Sequence, residues 1–298
     1  YVTVGEKQLL NLATHNYLNL SERPEIEKAS LECLNVYGVG SCGPRGFYGT
    51  AEVHLRLEDR LANFFNAEMA VLYSYGFSTI ASAIPSYSKN GDIIYADERV
   101  NFSIQRGMDA SRSQLVYFRH NDTQHLEELL KKQEADPKKA GATRKFLVAE
   151  GIYMNTGTIC PLPELVRIRA KYKLRLFLDE SCSFGTLGQG ARGVTDFYNV
   201  KLEEVDLIMV SLETVAASSG GLTVGTKFVV DHQRLNGLGY CFSASMPPML
   251  AAASIKVGGM RVEVVHFSSS LEWRVSFRWA FAILLAFLRT VLLKPPNM

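Results

Sequence analysis

Short apolar segments rich in β-branched residues alternate with segments of helical periodicity through the middle of the chain. Several of the apolar segments are nearly continuous hydrophobic runs, which is typical of strands covered on both faces of a sheet. Between them, apolar residues recur at helical spacing from Val53 to Phe64, and from Leu126 to Leu130 behind the start signal Asn121-Asp122-Thr123. The predicted strands are residues 71–74, 92–96, 114–118, 146–150, 174–179, 207–211 and 226–230.

This alternation predicts an α/β protein with three α/β/α layers and a mainly parallel, seven-stranded sheet. We assign it to residues 51–257, which follow an N-terminal arm and a glycine-rich interface loop in residues 1–50. Residues 258–298 differ in character, because Gly258-Gly259 is followed by a segment without clear helix caps.

The tail contains an uninterrupted apolar run at residues 279–288, bracketed by Arg278 and Arg289. A membrane-spanning helix needs about 20 apolar residues, so we favour a terminal helix that packs on the body of the protein or on a partner. A transmembrane helix, and a tail that is not the native end of the domain, stay open as alternatives.

The composition is that of an ordinary soluble globular protein: of 298 residues, 47% are hydrophobic and 21% are charged, with a net charge of +2. So small a charge argues against nucleic-acid binding, which requires a basic face. The five cysteines include no CxxC pair and no Cys/His cluster, so we expect free thiols in a reducing compartment and no metal site. The chain begins at Tyr1 without a signal peptide, and we expect it to be a fragment that lacks its native N-terminus.

A glycine-rich segment, Gly38-Val-Gly-Ser-Cys-Gly43, matches the GxGxxG pattern. A dinucleotide site would require a strand before this pattern and a helix opening within it. The residues before it have helical character and those after it read as a loop, so we reject that interpretation. The density of glycine still indicates that the backbone closely approaches a ligand or a neighbouring chain.

Two strand ends carry candidate ligand-binding residues. Asp179 lies at the end of a buried strand, where open α/β sheets bind ligands; its carboxylate could pair with a protonated ring nitrogen or cap the following turn. The junction with Tyr75 and Gly76 suits a phosphate at a helix N-terminus, or a simple Ser/Thr cap. The sequence leaves both pairs of alternatives open.

Taken together, these features resemble the α-oxoamine synthases, pyridoxal-phosphate enzymes of aminotransferase class II with fold type I. The resemblance covers roughly residues 9–255. Its landmarks, in chain order, are Gly49-Thr50, His54, Leu57-Glu58, Gly91-Asp92, Asp97, Glu150-Gly151, Pro161-Leu162, Asp179-Glu180, Gly220-Gly221 and residues 242–248.

The chain departs from this family at the coenzyme site. The family's Schiff-base lysine corresponds to Thr214, its coenzyme-stacking histidine to Asn101, and a second histidine to Cys182. A threonine cannot form the Schiff base. The resemblance therefore implies a chain without catalytic residues of its own, in which Tyr75, Gly76 and Asp179 are vestigial cofactor-binding candidates.

Within the family, residues 41–50, 153–165 and 231–248 resemble the non-catalytic long-chain-base subunits. This implies a heterodimer with a catalytic long-chain-base subunit, which holds pyridoxal phosphate covalently. The pair would condense L-serine with palmitoyl-CoA or another long-chain acyl-CoA, release CO2 and give 3-ketosphinganine for sphingolipid biosynthesis. Association of the full-length protein with the cytosolic face of the endoplasmic reticulum membrane is implied by the family alone.

Active sites of this family lie at the dimer interface, so a subunit without chemistry can still lend loops to its partner. We expect residues 40–50 and 242–248 to do this. Arg45 could meet an anionic group there or form an interface salt bridge, and we expect Cys42 to be a small packed residue rather than a nucleophile. The predicted partner-site residues are Cys42, Gly43, Arg45, Phe47, Tyr48, Ser243 and Ser245.

Two other hypotheses stay open. One is a self-sufficient homodimeric synthase that uses Lys227, the nearest lysine after the expected position. The other is a truncated, non-enzymatic module that binds the catalytic subunit unproductively. It is motivated by the tail, because nothing after Gly258 resembles the family's C-terminal small domain.

Overall fold

The computed structural model describes residues 2–9, 11, 14–135, 144–216 and 218–267. Its strands are β1 (Val2–Val4), β2 (Lys7–Leu9), β3 (Met69–Tyr73), β4 (Ile93–Asp97), β5 (Gln114–Phe118), β6 (Lys145–Glu150), β7 (Arg175–Asp179), β8 (Leu207–Ser211) and β9 (Gly221–Gly225). Its α-helices are α1 (Pro24–Tyr37), α2 (Glu52–Phe65), α3 (Gly76–Tyr87), α4 (Phe102–Ser111), α5 (Thr123–Glu134), α6 (Leu162–Tyr172), α7 (Val194–Phe197), α8 (Lys227–Asn236), α9 (Leu238–Cys241) and α10 (Pro248–Phe267).

The central sheet has seven strands in the order β3-β9-β8-β7-β6-β4-β5. Strands β5, β4, β6, β7 and β8 are mutually parallel, and β9 runs antiparallel to both β8 and β3. The predicted three-layer fold with a mainly parallel, seven-stranded sheet is confirmed. Because the parallel strands all end at the same edge of the sheet, the residues that follow them are brought together there.

The first six predicted strands are present, with small shifts at their ends. The seventh prediction, residues 226–230, is wrong: Thr226 is the N-cap residue of α8, and the strand is β9 (Gly221–Gly225). A Cβ at Gly221 would collide with Thr79 Oγ1 and lie 2.8 Å from the Val210 carbonyl oxygen. The close approach of α3 therefore requires glycine at this position, and glycine removes the apolar pattern by which a strand is recognised.

The flanking helices bury their apolar faces against this sheet. Helix α2 shows the predicted periodicity at Val53, Leu57 and Leu61, which are buried, but Phe65 is the buried residue at its end and the predicted Phe64 is only half-buried. Helix α5 begins at the predicted start signal, where the Asp122 side chain accepts a hydrogen bond from the His125 amide. These polar start residues satisfy amide groups that a helix leaves unpaired in its first turn.

Helix α10 runs from Pro248 to Phe267, across the boundary that we predicted between residues 257 and 258. Gly258-Gly259 is thus not the end of a helix. Helices α1, α2 and α10 together line a groove of about 530 Å³, so the predicted N-terminal arm contributes a packed helix. The apolar run predicted in the tail lies outside the described residues. Within the described ranges, no helix combines the length and the apolarity that crossing a membrane requires.

Candidate functional site

Asn101 connects two buried carboxylates at the carboxyl edge of the sheet. Strands β6 and β7 end at Glu150 and Asp179, which are paired in register. The Asn101 side-chain amide donates to Asp179 Oδ2 at 2.8 Å, and its backbone amide donates to Glu150 Oε1 at 2.7 Å. Its side-chain oxygen accepts from the Ile104 amide at 3.1 Å and so caps α4. The residue at the family's stacking position is therefore an integral part of the sheet edge.

The second oxygen of Asp179 is also paired within the chain. Its Oδ1 accepts from the Ser181 amide at 2.9 Å and from the Ser181 hydroxyl at 2.5 Å. Of the two roles left open by the sequence, Asp179 has the turn-capping one. Burial raises the pKa of this carboxyl, because desolvation disfavours the charged form.

Two further buried carboxylic acids lie at this edge. Burial, and then the neighbouring Asp179 carboxylate, raise the pKa of Glu150 to about 8. Burial also raises the pKa of Glu180 to about 7, although its carboxylate accepts hydrogen bonds from Ser183 and from the amides of Val194 and Thr195. Burial thus raises the pKa of each of these three carboxyl groups at the sheet edge. Within the described residues, no group of side chains could hold a metal ion.

A buried, hydrogen-bonded threonine stands at the position of the expected Schiff-base lysine. Thr214 is buried, and its hydroxyl donates to the Ser181 carbonyl at 2.6 Å. Cys182, at the position of the second histidine, is also buried, and burial raises the pKa of its thiol. Neither side chain presents a nucleophile to a cleft.

Helix α3 begins with Gly76, directly after Tyr75, which is exposed. The Gly76 amide donates to Glu213 Oε1 at 3.1 Å. A Cβ at Gly76 would collide with the Ser211 side chain, so the helix start lies directly against the end of β8. Sequence reasoning missed Glu213, although its place immediately before Thr214 in the polar turn was a usable signal.

A chain of contacts joins this helix start to Asp179. The Ser181 hydroxyl donates to Asp179 and accepts from the Ser211 amide at 2.8 Å, and Ser211 packs against Gly76. Two of the vestigial candidates, Gly76 and Asp179, thus belong to one connected site, with Tyr75 exposed at its side.

The residues of this site do not fit pyridoxal phosphate. Both carboxylate oxygens of Asp179 are occupied by donors of the chain itself, and Thr214 stands where a lysine would be needed. At the helix start that would receive the phosphate, the Glu213 carboxylate is a like charge and would repel it.

The glycine-rich loop has a tightly fixed backbone and exposed aromatic side chains. A Cβ at Gly49 would collide with the carbonyl oxygens of Gly43 and Pro44. Cys42 and Tyr48 are held at positive φ angles of 53° and 62°. Phe47 is 68% exposed and Tyr48 is fully exposed. The loop therefore presents two aromatic rings to its surroundings from a rigid frame.

The two segments expected to reach the partner are in contact with each other. The Ser245 amide donates to the Gly43 carbonyl at 2.9 Å, and the hydroxyls of Ser41 and Ser245 are 2.5 Å apart. Ser245 is buried by these contacts, whereas Ser243 is half-buried and donates to the Gly239 carbonyl at 2.6 Å. Cys42, at the same loop, is exposed.

Within its own chain, Arg45 pairs with a carboxylate of α2, and its predicted roles at the shared interface stay predictions. Its guanidinium is buried and donates to Glu58 Oε1 at 2.8 Å and to Thr50 Oγ1 at 3.0 Å. Glu58 also accepts from the Leu72 amide at 2.9 Å. The arginine thus joins the glycine-rich loop to α2 of its own chain, because α2 places a carboxylate beneath the loop.

Lys227 lies far from this site. It begins α8 rather than a strand, and it follows β9 at Gly225, which pairs with the first residue of β3, Met69. The coenzyme-type site lies by the last residue of β3. Lys227 is therefore at the opposite edge of the sheet, and the geometry contradicts a homodimeric synthase that uses it.

The family model for aminotransferase class I and II matches residues 7–274. Serine palmitoyltransferase 1 of Dictyostelium discoideum is 50% identical over 86% of this chain and 53% of its own length. Long chain base biosynthesis protein 1 of Arabidopsis thaliana is 44% identical over 86% of this chain and 53% of its own length. The chain thus spans about half the length of these curated relatives.

Among solved structures, a variant serine palmitoyltransferase from S. paucimobilis with a bound pyridoxal phosphate–myriocin aldimine is similar in fold. The TM-score is 0.81 and the identity 27%, over 86% of this chain and 63% of the other. The described sheet is thus found in a protein whose own site does hold the coenzyme.

Proposed function

The chain belongs to the aminotransferase class I and II family, and from its similarity to serine palmitoyltransferase 1 and long chain base biosynthesis protein 1 we propose that it is the non-catalytic subunit of a heteromeric serine palmitoyltransferase. It supports the condensation of L-serine with palmitoyl-CoA to 3-ketosphinganine in sphingolipid biosynthesis. The observation that carries this proposal is Thr214, which is buried and bonded to the Ser181 carbonyl where the chemistry needs a lysine.

In this proposal the partner is a catalytic long-chain-base subunit that holds pyridoxal phosphate covalently. The coenzyme supplies the electron sink for forming and stabilising the serine carbanion. This chain contributes no proton transfer and no nucleophile. Its contribution is the rigid loop around Phe47 and Tyr48, supported by Ser245 from the segment 242–248.

Reconstitution with the catalytic partner tests the proposal. The chain alone, incubated with pyridoxal phosphate and reduced with borohydride, should keep its unmodified mass. Co-expressed with the catalytic homologue, it should form a complex whose ketone production depends on L-serine and acyl-CoA, while the homologue alone stays inactive. A coenzyme-sized mass increase on this chain would refute the proposal.

The second candidate is a non-enzymatic module that binds the catalytic subunit unproductively, and the exposed rings of Phe47 and Tyr48 on a chain with Thr214 at the lysine position favour it. Complex formation without serine-dependent activity would support this candidate over the first. Activity in the complex would exclude it.

We extend the proposal to the cytosolic face of the endoplasmic reticulum membrane as the site of the assembly. The support is the family resemblance alone. Fractionation of cells that express the full-length protein, followed by protease protection of its exposed loops, would test both the membrane and the face.

A further inference from the structure

The start of α3 carries a carboxylate from another part of the chain. Glu213, in the turn after β8, accepts a hydrogen bond from the Gly76 amide at 3.1 Å. The first amides of a helix point outward without intrahelical partners, and the helix dipole gives them partial positive charge. A carboxylate is thus placed where such a helix start would otherwise attract an anion.

The backbone geometry explains why Glu213 reaches this position. Gly76 packs so closely on Ser211 that any side chain at Gly76 would collide with it. Ser211 also accepts a hydrogen bond from the Glu213 amide at 3.2 Å, which fixes the turn that carries the carboxylate. The ends of β8 and α3 thus place the backbone of Glu213 beside the helix start, and its exposed side chain reaches the Gly76 amide from there.

The opposite end of the same site is closed in a similar way. The Asn101 amide occupies one oxygen of Asp179, and Ser181 occupies the other. One charged and one amide side chain of the chain itself thus lie at the two polar ends of the site, and the buried Thr214 directly follows Glu213 in the sequence.

We propose that Glu213 is an internal substitute for a bound phosphate, so that the chain keeps the shape of a coenzyme site while binding neither pyridoxal phosphate nor inorganic phosphate there. The inference rests on the proposed function for the identity of the cleft. Its mechanism is electrostatic: the carboxylate satisfies the Gly76 amide and repels any second anion within a few ångströms.

Phosphate binding by the purified full chain tests this, without any partner or activity assay. Inorganic phosphate is titrated during thermal unfolding, with chloride at matched ionic strength as reference. We expect no saturable shift in the Tm of the parent chain. Glu213→Ser removes the carboxylate, and its apparent affinity for phosphate should rise at least about tenfold, with a saturable increase in Tm.

Two further variants complete the experiment. Glu213→Gln keeps the size and an acceptor oxygen but removes the charge, and it decides the matter if Glu213→Ser does not fold. Glu203→Gln makes the same charge change at an exposed residue away from α3, and it measures the general stabilisation by phosphate as a salt.

The proposal is overturned if the parent chain binds phosphate as tightly as Glu213→Ser does. It is equally overturned if folded Glu213 variants show no gain over Glu203→Gln. A loss of the proposed heteromeric activity would not bear on either result, because the titration reports only on this chain.

Discussion

The side-chain amide of Asn101 donates a 2.8 Å hydrogen bond to the carboxylate of Asp179, across the intervening strand β6. Asn101 follows β4, and Asp179 ends β7. The bond therefore ties together two strands that are not neighbours in the sheet. The family resemblance predicts that these two positions face a coenzyme; in this chain they contact each other and so stabilise the fold.

Asn101 should stabilise the chain through two contributions that different substitutions can separate, the cap of α4 and the hydrogen bond to Asp179. Asn101→Ala removes the cap of α4 and leaves an oxygen of buried Asp179 without its donor, so we expect a loss of about 2–4 kcal/mol in the free energy of unfolding. Asn101→Ser keeps a capping hydroxyl and should lose about 1 kcal/mol less. Urea unfolding of the three proteins measures both contributions. A serine variant as stable as the parent would mean that the amide bond to Asp179 contributes nothing.

The buried pair of Arg45 and Glu58 should be strongly coupled. Arg45→Met removes the nearer cation of buried Glu58 and leaves it only Arg234 at 3.5 Å, so we expect a loss of about 3 kcal/mol. The double variant Arg45→Met/Glu58→Gln should lose less stability than the sum of the two single variants, because neither buried charge of the pair is left without its partner. Lys28→Met, at an exposed pair with a separation of 4.0 Å, is the control and should cost less than about 1 kcal/mol. Additive losses in urea unfolding would show that the buried pair is not coupled.

Two glycines in the same loop should respond oppositely to alanine. Gly49→Ala places a methyl group against the carbonyl oxygens of Gly43 and Pro44, and we expect a loss of about 1–3 kcal/mol from overpacking. Gly46→Ala meets no atom within 4 Å, and the φ angle there is ordinary, so it should be neutral within about 0.5 kcal/mol. Thermal unfolding and heteromer yield measure both variants. Equal effects would indicate that the loop is less tightly packed than the contacts imply.

The sheet could be predicted from the sequence because its parallel strands are buried on both faces and read as apolar runs. Strand β9 could not, since the approach of α3 demands glycine at Gly221 and glycine carries no hydrophobic signal. The strand wrongly predicted at residues 226–230 follows from the local apolar pattern, which does not distinguish a short strand from the start of a helix. Its β-branched residues belong to the first turn of α8, where Val230 is buried by packing that only the tertiary structure supplies.

At the site, the sequence indicated which groups were missing but not what replaced them. Asn101 and Asp179 are far apart along the chain, and only the strand order places them within hydrogen-bonding distance. The burial of Arg45 was equally hidden, because it depends on Glu58 from the next helix. Family resemblance compares positions one at a time and cannot show new pairs between them.

Glu150 should make the stability of the chain depend on pH. Its pKa is raised from 4.5 to about 8, so between these values the folded state keeps a proton that the unfolded state has lost. Stability from this group is fully present below pH 4.5 and is lost as the pH rises through about 8, with a slope of up to about 1.4 kcal/mol per pH unit. The parent chain should therefore lose stability relative to Glu150→Gln as the pH rises from about 5 to about 8.

Urea unfolding of both proteins at several pH values checks this difference. Glu180 is present in both proteins, and the difference between them reports on Glu150 together with its electrostatic interaction with Asp179. A parent chain that gained stability relative to Glu150→Gln with rising pH would contradict the raised pKa.

Phe47 and Tyr48 should contribute to binding the catalytic partner and not to the stability of this chain. Both rings are exposed on a loop whose backbone is fixed by Gly43 and Gly49, so little conformational entropy is lost when a partner covers them. Aromatic residues of this kind dominate interface energies, and truncating a central one costs about 2 kcal/mol or more. The Phe47→Ala and Tyr48→Ala variants should therefore each bind the partner about thirtyfold more weakly.

The chain's own unfolding free energy should change by less than about 0.5 kcal/mol in either variant. Phe228→Ala is the matched control: its ring is 83% exposed, but it lies beside Lys227 at the opposite edge of the sheet. Equilibrium binding of each purified variant to the catalytic subunit separates the alternatives. If Phe228→Ala weakens binding and the two loop variants do not, the partner binds at the other edge of the sheet, and the glycine-rich loop is not the shared interface.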